Sequence, residues 1–201
     1  MKKLEGNIKG VLEIDGDLKL TGNLVVEKWI DVSGSINCNG WSIEAGGSIK
    51  AGWPIEAGGS IKAGEFIEAG GSIKAGGSIK AGEFIKAGGS IKAGGSIEAG
   101  EFIEAGEFIK AGEFIKAGDG ILSQLWIKCK TTLEAQLYIW AGIKTWSKLE
   151  AGEDLIECGK LEGGEIKNGR LVETGEKETD DKTEEAMKIL KEKGYKIIKE
   201  D

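Results

Sequence analysis

The chain has 201 residues, with 34 glycines, one proline (Pro54), no histidine and a formal net charge of -7. Arg170 is the sole arginine, and with an acidic balance this disfavours DNA or RNA binding, which relies on cationic surface and on arginine's bidentate fork. No stretch reaches the roughly 18 apolar residues of a membrane helix, and the basic start MKKLEGNIKG lacks the apolar run of a secretion signal. The expected home is therefore a cytosol, with no membrane and no nucleic-acid partner.

In chain order, Leu12, Leu18, Leu24, Ile30 and Ile36 recur every six residues. Each has an apolar partner two places on: Ile14, Leu20, Val26, Val32 and Cys38. Residues two apart share one face of a strand. One extra residue in NCNGWSI then shifts the register by one, as a corner bulge does. From Trp41 to Gly118 follow thirteen unbroken hexads, each ending I-[KE]-A-G and nearly all beginning GS or EF. Six residues are too few for a helical unit. Ile and Ala face in, the Ser/Phe and Lys/Glu positions face out, and the closing glycine is expected to supply backbone freedom for a corner.

These features predict an all-β fold: a three-sided parallel β-helix (a β-solenoid), right-handed, with about 18 residues per coil and coils roughly 4.8 Å apart. Ile121, Ile127, Leu133 and Ile139 continue the spacing beyond Gly118. WAGIKTWSKLEAG resets the phase, which Leu149, Leu155 and Leu161 are expected to resume up to Val172. About nine coils result, spanning residues 1–172. Residues 173–182 (ETGEKETDDK) read as a charged linker. Residues 183–201 read as a small appendage, a helix with an apolar stripe of Ala186, Ile189 and Leu190, then a short strand at YKIIK.

Residues eighteen apart should stack. Phe66, Phe84 and Phe102 then form one outward column, with Gly120 next and Tyr138 beyond it. Phe108 and Trp126 share the second side, and Phe114 lies on the third. Lys50, Glu68, Lys86 and Glu104 alternate in sign beside the first column. Three readings of the phenylalanines stay open. They dock a protein partner, self or foreign; they are covered by the chain's own helix through Ile189 and Leu190; or they stack on one another.

Cys38, Cys129 and Cys158 each follow an isoleucine by two and so occupy inward slots, as small core residues in a reducing compartment. Without CxxC spacing or histidine, a zinc site is disfavoured. The glutamates read as solvated columns, and none is marked out as an acid or base. No catalytic residue, metal or cofactor is expected. The hexads of left-handed acyltransferases place glycine one after the aliphatic residue and use a histidine, unlike these. Ice-binding threonine ladders are also absent.

LKLTGNLVVEKWIDVSGSI resembles bactofilins, polymer-forming cytoskeletal proteins built as three-sided right-handed β-helices. The run GSIKAGGSIEAG, followed by EAQLYIWAGIKTW and IECGKLEGGEIKNGRLV, is more similar to hexad-repeat proteins encoded by bacteriophages and prophages of Firmicutes, over roughly residues 7–172. The resemblance implies a β-helix, a phage origin and the cytoplasm of a bacterial host, and it carries no catalytic residue. The function expected from it is non-enzymatic: a rigid surface that binds and inhibits a host defence factor. The alternative is a self-assembling scaffold of bactofilin type. A homo-oligomer is compatible with either. The glycine-alanine core and the C-terminal helix depart from bactofilins.

Overall fold

A computed structural model describes residues 2–144 and 147–175. Regular structure among them consists of short strands stacked in parallel as a β-solenoid of about nine turns, with neighbours roughly 18 residues apart. In the hexad zone each strand is three residues long, as in Ile67–Ala69, with Ile and Ala buried and the charge between them turned outward. Ile67 pairs in register with Ile49 on one side and Ile85 on the other. Three columns of buried aliphatics result. The first face runs from Leu12 to Ile166, the second from Leu18 to Leu171 and the third from Leu24 to Leu161. Because no single coil can bury its own face, stability comes from stacking.

The bulge at NCNGWSI is present: Gly40 has a φ of 91°, and the Trp41 amide donates back to the Cys38 carbonyl at 3.2 Å. The closing glycines of the hexads have a different reason from the one expected. None of those between Gly46 and Gly118 has a positive φ. Their missing Cβ is what matters. A Cβ on Gly82 would lie 2.0 Å from the carbonyl oxygen of Gly64, one coil below, and one on Gly100 equally close to that of Gly82. The corners are packed backbone on backbone.

The C-terminal phase also differs from expectation. After Gly142, whose amide still donates to the Leu125 carbonyl, the chain leaves the stack, and its strands resume at Leu155. Leu149 is in that excursion and 38% exposed. Ile156, not Leu155, stacks on Ile127, while Leu155 pairs with Arg170. Leu161 does resume the column, on Leu133. From there the apolar residues recur every five positions, at Ile156, Leu161, Ile166 and Leu171. Tighter corners require left-handed backbone, and Gly164 and Gly169 supply it with φ of 90° and 116°. The excursion is tied down by Lys144 and Glu153, 3.1 Å apart. The Glu150 amide donates to Glu153, and this bond, with Lys144, holds the Glu153 carboxyl below its ordinary range. Most of the charged linker and all of the expected helix and strand, with Ile189 and Leu190, lie outside the described residues.

Candidate functional site: the outward ladders

On a parallel solenoid each outward position becomes a column whose spacing is the rise of the coil. On the first face Phe66 stacks on Phe84 at 4.8 Å between ring centroids, and Phe84 on Phe102 at 5.0 Å, both within 2° of parallel. Tyr138 continues the column over Gly120, where a Cβ would meet its ring at 2.5 Å. On the second face Phe108 stacks on Trp126 at 4.2 Å and 8°, with the Lys128 ammonium 5.4 Å from the Trp126 ring. Phe114 lies on the third face. All five phenylalanines, Tyr138 and Trp126 are half-buried. The rings cover one another, as the third of the three readings has it, and leave their edges to solvent.

Among the described residues the most exposed large apolar side chains are ones the sequence reading passed over: Trp53 at 64% and Leu137 at 56%, with Trp41 and Trp29 behind them. Their signal was positional. Trp41, Trp53 and Leu137 precede their core isoleucine by two, the corner position that glutamate holds in the EF hexads.

The GS and EF hexads obey a stacking rule. Where GS lies over GS, the lower serine hydroxyl accepts the amide N–H of the upper serine, as Ser60 does from Ser78 at 3.2 Å and Ser72 from Ser90 at 3.1 Å. The upper glycine must then be glycine, since a Cβ on Gly77 would lie 2.4 Å from the Ser60 hydroxyl. Where EF lies over GS, the serine instead donates to the glutamate above: Ser48 to Glu65 at 2.6 Å, Ser96 to Glu113 at 2.7 Å, and Ser90 to Glu107. One such bond marks each GS-to-EF junction, one per face.

Charge is distributed unequally. On the first face Lys50 meets Glu68 at 3.9 Å and Lys86 meets Glu104 at 3.1 Å. On the third, Lys62–Glu44, Lys80–Glu98 and Lys116–Glu134 close at 2.8 to 2.9 Å. These pairs are exposed and contribute little each. The second face breaks the alternation: Lys74, Lys92, Lys110 and Lys128 stack in register. Of these only Lys128 forms an ion pair among the described residues, with Glu157 at 3.0 Å.

All three cysteines are buried, free thiols pointing inward on the second face. Burial pushes the Cys38 thiol up to about 11, partly offset by a backbone hydrogen bond at Trp41. Cys129 and Cys158 are adjacent rungs. A hydrogen bond to Cys158, then burial, holds the Cys129 thiol far above its ordinary range, and the same bond lowers Cys158. No group of three His, Cys, Asp or Glu side chains among the described residues is placed to hold a metal ion. No helix among them is long and apolar enough to cross a membrane.

The fold and its ladders thus define a three-sided parallel β-solenoid with regular outward columns. Comparison with family models, curated proteins and solved structures finds no match.

Proposed function

We propose that this chain is a non-enzymatic solenoid whose first face binds a protein partner through the Phe66–Phe84–Phe102 column. The observation that carries this reading is the stack itself: three parallel rings at 4.8 and 5.0 Å, half-buried, with the alternating charges of Lys50, Glu68, Lys86 and Glu104 alongside. A surface already ordered by its own stacking loses little conformational entropy on binding, and aromatic edges in a polar frame are the usual anchors of protein interfaces. The phage resemblance supports a host factor as that partner, with inhibition of a bacterial defence process as the purpose and the bacterial cytoplasm as the place.

The test is a triple substitution, F66S/F84S/F102S, compared with wild type for capture of a host protein from bacterial lysate. Serine already occupies the equivalent slot at Ser48, so the β signal in circular dichroism should persist. A defined partner held by wild type and lost by the variant is the expected result. Equal capture by both, or none by either, sinks the reading.

A further inference from the structure

The lysine column of the second face has a counterpart across the molecule. Glu65, Glu83, Glu101 and Asp119 follow one another at eighteen-residue intervals along the corner between the third and first faces. Their backbones join level to level, Glu83 N–H to Glu65 carbonyl at 2.9 Å, Glu101 to Glu83 at 2.8 Å and Asp119 to Glu101 at 2.7 Å. All four are exposed, and none forms an ion pair among the described residues. Each precedes one of Lys74, Lys92, Lys110 and Lys128 by nine residues, half of a coil. On a three-sided solenoid half a coil leads from a corner to the middle of the face opposite. Four acids on one corner therefore repeat with the same spacing as four lysines on the opposite face, each pair half a coil apart along the chain.

The other two corners do not share this character. At the level of Lys74 and Lys92 they carry Gly71, Gly89, Gly77 and Gly95, and Glu107 and Glu113 stand singly there, each accepting the serine hydroxyl below it, Ser90 and Ser96, as Glu65 at the foot of the acidic corner accepts Ser48.

From this arrangement we infer that the chain associates side by side with a second copy of itself, the acidic corner of one seated on the lysine column of the next. Both columns are ruled by one coil rise, roughly 4.8 Å, so a sideways translation with a single axial slip of half that rise brings the two columns into register along their length. A foreign acidic protein would match that repeat only by chance; a second copy matches it by construction. The contact is heterologous, leaving a lysine face free on one end and an acidic corner on the other, so association is open-ended and builds a raft of parallel rods. It also relieves the like-charge stacking of Lys74, Lys92 and Lys110 within each chain. The aromatic column takes no part, so this contact and the partner reading above stand or fall separately.

The test is sedimentation velocity on the full chain over a wide concentration range, at about 0.01 M and about 1 M salt, where screening lengths are roughly 30 and 3 Å. Species larger than the monomer, growing with concentration at low salt and lost at high salt, are expected. K92E/K110E and E83K/E101K should each lose this association alone, and an equimolar mixture of the two should regain it. F66S/F84S/F102S should associate like wild type. A wild-type monomer throughout at low salt overturns the inference without any variant. So does undiminished association of either charge variant, or a mixture that stays monomeric.

Discussion

Phe84 and Phe102 are stacked with their centroids 5.0 Å apart and their planes 2° from parallel, and Phe84 repeats the contact with Phe66 at 4.8 Å on its other side. Phe84 thus has two aromatic neighbours, Phe66 and Phe102 one each. Aromatic pairs contribute about 0.5–1.5 kcal/mol beyond area burial. F84S should therefore destabilise the solenoid by about twice as much as F66S or F102S, read from denaturation midpoints. Equal losses at the three positions would mean the rings act singly, not as a ladder.

The hexad glycines divide into two kinds. At Gly100 a Cβ would meet the Gly82 carbonyl at 2.0 Å, whereas at Gly77 it meets a serine hydroxyl. G100A has only backbone to push against and should cost about 3 kcal/mol or more, the upper end for overpacking. G77A should be milder, and S60A should rescue it by removing the hydroxyl. Thermal melts of the three variants check this; rescue that fails would place the Gly77 requirement in the backbone too.

At the GS-to-EF junctions a hydroxyl is committed to a carboxylate. S96A removes the donor to Glu113 and should lower stability by about 1 kcal/mol. The same change at Ser42, whose hydroxyl accepts only the Ser60 amide at 3.1 Å and is more exposed, should cost less. Urea titrations of S96A and S42A giving the reverse order would contradict the junction rule.

Cys38 supplies a pH dependence. Its thiol is near 9.0 when unfolded and is raised to about 11 by burial in the fold. A raised folded pKa means that its contribution to stability is complete below pH 9 and lost as pH climbs through 11. Wild type should lose stability across that window more steeply than C38A, in which the titrating group is gone. Parallel curves for the two proteins would show that Cys38 is not the cause.

Much of the architecture was legible in the chain alone. Ile67, Ala69 and Ile85 reveal their strand, inward side and stacking partner through a period of two inside a period of six, because strand alternation and coil closure are local geometry that every hexad restates. The aromatic columns followed by the same counting, and so did the inward cysteines. Ile156 displacing Leu155 was legible only in part: Cys158 two places on marks Ile156 as inward, whereas the count of six from Leu149 points to Leu155, and where the chain rejoins the stack is set by a free strand edge that no local count reveals. The role of Gly100 was hidden as well: its constraint is a carbonyl one coil away, not its own φ. The opposition of Glu83 and Lys92 emerged only in three dimensions. Nine residues apart means nothing along a strand, and becomes the width of the molecule once eighteen residues close a triangle.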